Sequence, residues 1–73
     1  MFPAFTSSAI ESISDVQDGK VTITFAGGRE YTYGVADVER FTTEMTNTIT
    51  QGDSVGRYFN TALRSDLLTL VWI

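Results

Sequence analysis

Two short runs of alternating residues, separated by a pair of glycines, constrain the fold of this 73-residue chain more than any other feature. Residues 21–25, with the sequence VTITF, place three apolar side chains on one face of an extended strand and two threonines on the other. Residues 29–33, REYTY, alternate again after Gly27 and Gly28. Glycines between two alternating runs are typical of a turn, so the pattern predicts a β-hairpin.

Further strand signals flank this hairpin on both sides. Residues 9–16 form a mixed strand candidate, and the pair Asp18 and Gly19 that follows it is a strong hairpin signal. Residues 67–73, LLTLVWI, are apolar enough to form a fourth strand, buried in the sheet or placed at its edge. We therefore expect an antiparallel meander of three or four strands.

The register of the hairpin decides where its two tyrosines point. A two-residue glycine loop would place Tyr31 and Tyr33 on the threonine face, as an exposed aromatic platform. A three-residue loop of residues 26–28, with Gly28 in the left-handed region, would place both tyrosines on the apolar face. We favour the three-residue loop, because it adds the tyrosines to the apolar face, and burying one aromatic-rich face stabilises the fold. The expected pairs are Ile23 with Tyr31 and Val21 with Tyr33.

Two helical patterns lie between the hairpin and the apolar tail. The first covers residues 37–49, with Asp37 as N-cap and Gly52 as stop signal, and the second begins at Ser54 as N-cap. The two apolar stripes comprise Val38, Phe41, Met45 and Ile49, and then Val55, Tyr58, Phe59, Ala62 and Leu63. We therefore predict an α+β fold, a single domain over residues 1–73, with two helices packed on one face of the sheet.

The composition excludes several classes of site. The chain has no cysteine and no histidine, so the usual zinc ligands and the usual proton shuttle at neutral pH are missing. It contains no glycine-rich phosphate loop and no defensible pair of catalytic carboxylates. We expect no metal, no cofactor and no catalytic residue, and predict that the protein is not an enzyme. Its start resembles no signal peptide and its apolar runs are short, which predicts a cytoplasmic protein with no membrane partner.

The outer face of the second helix carries Arg57, Asn60, Thr61 and Arg64, which suit contacts with phosphates or bases. The alternative is that the arginines pair with surface carboxylates such as Asp66. A net charge of −4 opposes nucleic-acid binding, which normally draws its affinity from clustered basic residues. The nucleic-acid or anion hypothesis therefore depends on a local set: Tyr31, Tyr33, Arg57, Asn60 and Arg64.

The apolar tail offers a different kind of site. The chain has more apolar residues near its two ends than a domain of this size easily covers. An exposed strand edge with Trp72 as anchor, supported by Leu70 and Ile73, would suit self-association or docking on another protein.

Three segments of the chain resemble the KTSC domain, a small module named for its place at the C-terminus of some lysyl-tRNA synthetases. They are SSAI at residues 7–10, YTY at 31–33 and SVGRYFN at 54–60, and the resemblance covers about residues 5–65. The chain departs from the pattern at Val35-Ala36, where such domains usually have Val-Pro, and at the apolar tail. The resemblance implies a small α+β domain, which also occurs as free-standing bacterial and phage proteins, with RNA binding suggested by the synthetase context.

These observations favour a small non-catalytic binding module that acts through protein–protein interaction, with a phage-encoded modulator of a host factor as one form. A protein partner or self-association is the expected mode. The alternative is a domain that binds RNA, single-stranded nucleic acid or a nucleotide ligand.

Overall fold

The computed structural model describes residues 2–72, without the side chain of Trp72. A four-stranded antiparallel sheet in the order β1-β2-β3-β4 and two helices make up the fold, so the predicted α+β meander is confirmed. The elements in chain order are β1 (Ile10–Ile13), β2 (Lys20–Phe25), β3 (Glu30–Val35), α1 (Val38–Thr50), α2 (Val55–Arg64) and β4 (Leu68–Trp72).

The β2–β3 hairpin has the predicted three-residue loop. The Gly28 N–H donates to the Phe25 carbonyl over 2.9 Å, and the Phe25 N–H donates to the Arg29 carbonyl over 2.7 Å. Gly28 has a φ of 90°, which only glycine adopts without strain. Ile23 therefore pairs with Tyr31 and Val21 pairs with Tyr33, as predicted. The two-residue loop, and with it an aromatic platform on the threonine face, is not formed.

The β1–β2 connection is the predicted tight turn at Asp18 and Gly19. Both residues have positive φ, 53° and 71°, as a two-residue type I′ hairpin requires. Gln17 and Lys20 exchange both backbone hydrogen bonds across it, each 2.9 Å long. The strand before the turn is shorter than the predicted residues 9–16, because β1 spans four residues and its register with β2 shifts between Ile10 and Ser12.

Both helices begin at the predicted N-caps. The Asp37 carboxylate accepts a hydrogen bond from the Arg40 N–H at 3.0 Å, and the Ser54 hydroxyl oxygen accepts one from the Arg57 N–H at 3.1 Å. These bonds satisfy backbone donors that a helix start leaves without partners. The α1 helix ends at its C-cap Gln51, one residue before the predicted stop.

The core lies between one face of the sheet and the two helices. Its largest fully buried side chains are Phe41, Ile10, Ile23, Met45, Leu68 and Val21. The predicted stripe of α2 is confirmed, with Val55, Phe59 and Ala62 buried. In α1 the prediction is wrong for Val38, whose side chain is 41% exposed. Val38 is the first residue of the helix and lines an open groove with Phe2 and Val16.

Candidate functional site

The free edge of β4 is the first candidate site. Among the described strands, β4 is paired with β3 alone, and the Leu67 carbonyl just before it accepts a hydrogen bond from the Ala36 N–H at 2.9 Å. In an antiparallel pair, successive residues direct their backbone groups alternately to the partner strand and away from it. Thr69 therefore bonds toward β3, whereas the N–H and C=O groups of Leu68 and Leu70 point away from it. Leu68 is 1% exposed as a whole residue, so the open part of this edge is at Leu70.

Apolar side chains accompany these outward backbone groups. Leu70 is 51% exposed and Val71 is 42% exposed, whereas Leu68, two residues earlier on the same side as Leu70, is 1% exposed. Leu70 pairs with Tyr33, so its side chain lies on the helix-covered side of the sheet. The core thus covers the start of β4 and leaves its middle bare.

Three residues of the tail were predicted to form a protein interface. Leu70 is exposed at the free edge, in agreement with that prediction. The backbone of Trp72 pairs with Thr32 of β3. The side chain of Trp72 and the whole of Ile73 lie outside the part of the chain that the structure describes, so their role as anchors stays a prediction.

The outer face of α2 is the second candidate site. Arg57, Asn60 and Arg64 are all exposed on it. Among residues 2–72, no carboxylate lies within ion-pair distance of Arg57 or Arg64, so the expected pairing with Asp66 is not formed. Arg40, by contrast, is bound to Glu44 on α1. The arginines of α2 therefore present unpaired positive charge on a protein of net charge −4.

The two tyrosines of β3 do not join this basic face as stacking surfaces. Tyr33 is only 5% exposed and packs its ring edge-on against Phe59, with 5.2 Å between ring centroids. Burial, and secondarily the neighbouring Tyr31, raise the pKa of the Tyr33 hydroxyl. Tyr31 is half-buried against Phe25. Of the five residues in the nucleic-acid hypothesis, the structure brings together the three on α2 and places Tyr33 in the core.

A polar network between the helices was not foreseen from the sequence. The Tyr58 hydroxyl donates to the Glu44 carboxylate at 2.8 Å, and Arg40 Nε donates to the other oxygen of that carboxylate at 3.1 Å. The Tyr58 hydrogen bond, followed by the Arg40 hydrogen bond, lowers the pKa of Glu44. Burial, followed by the bond to Glu44, raises the pKa of Tyr58. This network links α1 to α2.

The sheet face opposite the helices is polar. Thr22 and Thr32 bring their hydroxyl oxygens within 3.1 Å of each other, and the Ser14 hydroxyl oxygen accepts from the Thr22 N–H at 2.9 Å. An open hollow beside them is lined by residues of the β1–β2 turn and the adjoining strands. These hydroxyls bond chiefly to one another and to the backbone.

Two features that residues 2–72 lack bear on the kind of site this part of the chain can hold. No group of three or more acidic side chains in this range is placed to hold a metal ion. No helix within it is both long and apolar enough to cross a membrane.

The fold and its two candidate sites define a small α+β domain with one bare strand edge. Comparison of the chain with protein-family models, curated proteins and solved structures found no match to any of them. The resemblance to the KTSC domain stays a prediction.

Proposed function

We propose that this protein is a non-catalytic binding module whose β4 edge accepts an extended strand from another polypeptide. The observation that supports this proposal is the coincidence, at Leu70, of outward-pointing backbone groups with a half-exposed apolar side chain. Strand addition uses both features, because main-chain hydrogen bonds supply affinity and alternate side chains supply specificity. A bare apolar edge without a partner is a liability that natural sheets usually block.

The test is a titration of the ¹⁵N-labelled protein with a short uncharged strand-forming peptide, followed by NMR. Shifts concentrated on the amide of Leu70 are expected. The variant Leu70→Lys should lose the binding, since it places a charge in the new contact. Val38→Lys is the matched control, because Val38 is similarly exposed but lies on α1. Equal effects of the two variants, or shifts confined to α2, would contradict strand addition.

A second candidate function rests on the unpaired arginines of α2. Arg57 and Arg64 are exposed with Asn60 between them, which suits contact with a phosphate backbone. The chain would then bind RNA, single-stranded nucleic acid or a nucleotide. Asp53 opposes this, because it lines the same shallow hollow as Arg57.

Fluorescence titration with a mixed single-stranded RNA, at low and moderate salt, tests this candidate. Saturable binding that weakens steeply with salt is the signature of phosphate contacts. Arg57→Ala and Arg64→Ala should each reduce it, whereas Arg40→Ala should not, because Arg40 is already bound to Glu44. Absence of binding at low salt would remove the candidate.

A further inference from the structure

The proposed strand addition leaves open which polypeptide supplies the strand. We infer that the partner is a second copy of this chain, with the two β4 strands paired antiparallel about a two-fold axis at Leu70. This inference rests on the proposed function, and names the partner of the same edge.

Backbone geometry favours an axis at Leu70. Its N–H and C=O both point away from β3, so two copies of Leu70 placed opposite each other can exchange two N–H···O=C bonds. The register shift of β4 against β3 lies between Leu70 and Trp72, so Leu70 is the last residue of the regularly paired segment, and it is 51% exposed. Both Leu70 side chains would lie on the helix-covered side, where each covers the other.

Charge also favours a second copy. The sequence of β4, LTLVW, contains no charged residue and no proline. Charged side chains and prolines are the usual devices that keep sheet edges apart, and β4 has neither within its five residues. In an antiparallel self-pair, uncharged residues meet uncharged residues along the whole contact. A strongly acidic or basic strand would find no opposite charge on β4 to pair with.

The other edge of the sheet explains why association would stop at two copies. Strand β1 carries the exposed Glu11 and lies beside residues 2–5, which line a common shallow groove with it. These features oppose strand addition at β1. With one free edge per copy, two-fold pairing closes the assembly as an eight-stranded sheet, with all four helices on the same side.

Size and net charge set the expected affinity. Two paired five-residue strands make a contact below the size of standard stable interfaces, so the dissociation constant should be micromolar or weaker. Each copy carries a net charge of −4, so the copies repel at long range. Added salt screens this repulsion and should strengthen the dimer. A contact with an oppositely charged partner would respond to salt in the reverse direction.

The first experiment is size-exclusion light scattering over a wide concentration range at low and at moderate salt. We expect a mass that rises from 8.1 kDa toward twice that value with concentration, and rises further with salt. Leu70→Lys should weaken association at least tenfold, because it places two ammonium groups at the axis, whereas Val38→Lys should leave it unchanged. An unchanged mass for Leu70→Lys would overturn the β4 contact.

Cross-linking locates the axis independently, because the chain has no cysteine. Leu70→Cys should form a disulfide dimer under mild oxidation, since opposed residues in an antiparallel pair lie within disulfide range. Thr43→Cys, exposed on α1, is the control and should cross-link much more slowly. Circular dichroism confirms that both variants are folded. Equal cross-linking of the two variants would overturn the proposed axis.

Different experimental results would contradict this inference and the proposed function. A protein that stays monomeric at every concentration, but binds an uncharged strand peptide at Leu70, overturns the second copy and keeps strand addition. A monomer that binds no strand peptide overturns both.

Discussion

The two edges of the sheet differ in what they leave exposed. Strand β1 buries Ile10, carries a charge at Glu11, and lies beside residues 2–5, whose Phe2 ring packs edge-on against Phe41 at 5.9 Å. Strand β4 buries Leu68 but leaves Leu70 and Val71 half-exposed.

The two edge strands therefore use their apolar residues differently. In β1 the apolar side chain of Ile10 is buried in the core, whereas in the middle of β4 the apolar residues Leu70 and Val71 are half-exposed. Strand β4 also has a register shift with β3, between Leu70 and Trp72, so its regular pairing with β3 extends over residues 68–70. The proposed strand addition would cover the apolar residue that β4 leaves exposed.

The largest expected effect is the loss of stability when a buried residue of one edge strand is truncated, compared with an exposed residue of the other. Ile10→Ala should lower the free energy of unfolding by about 2–4 kcal/mol, because Ile10 is 1% exposed and its loss leaves a cavity. Leu70→Ala should cost under about 1 kcal/mol at low protein concentration, since half of that side chain already meets water. Urea unfolding measures both. Similar losses for the two variants would contradict the division between the edges.

Removing the charge from β1 should make the two edges more alike. Glu11→Val deletes the exposed carboxylate of that strand and adds β propensity. We expect species heavier than a dimer in light scattering at high concentration, with stability changed by about 1 kcal/mol or less. Glu39→Val, an exposed change on α1, is the control. If the Glu11 variant stays no larger than the unmodified protein, that charge does not protect β1.

The link between α1 and α2 should respond to acid without altering the edges. The folded pKa of Glu44 is lowered, so its contribution to stability is present above the ordinary value of 4.5 and is lost as the pH falls through the folded pKa. Tyr58→Phe removes the main cause and should cost about 1 kcal/mol at neutral pH. Urea unfolding of both proteins at neutral and acidic pH should show the difference shrinking in acid. A constant difference would contradict the assigned cause.

The smallest effect concerns the contact between β3 and β4. A methyl group added at Gly34 would lie 3.4 Å from Val71 Cγ2, an ordinary contact distance. Gly34→Ala should therefore stabilise the protein by about 0.5 kcal/mol, because alanine loses less chain entropy on folding. Thermal unfolding would detect this as a small rise in Tm. A clear loss of stability would mean that Val71 is held too rigidly to accommodate the methyl group.

Local structure could be predicted from the sequence where the residues that determine it lie close together in the chain. The Gly28 loop, the caps at Asp37 and Ser54 and the stripe of α2 each follow from neighbouring residues and are confirmed. Val38 matches the spacing of a buried stripe, but its exposure depends on where α1 begins relative to the sheet.

The candidate site was less predictable, because it depends on contacts between distant elements. The tail was predicted as a strand and Leu70 as an interface residue, but only the pairing with β3 shows that Leu68 is covered and Leu70 is not. Glu44 and Tyr58 lie 14 residues apart on two helices, and no periodicity indicates that they meet. The burial of Tyr33 followed from the register that the loop imposes.

Hydrogen exchange at the amide of Leu70, measured by NMR at low and high protein concentration, tests the role of the β4 edge most directly. The Leu70 N–H points away from β3 in a residue that is 51% exposed, so it should exchange rapidly in the dilute protein, while the N–H of the neighbouring Thr69 is protected. Raising the concentration should protect Leu70 and leave Thr69 unchanged. Protection of both in the dilute protein, or rapid exchange of Leu70 at every concentration and with strand peptide added, would contradict the account.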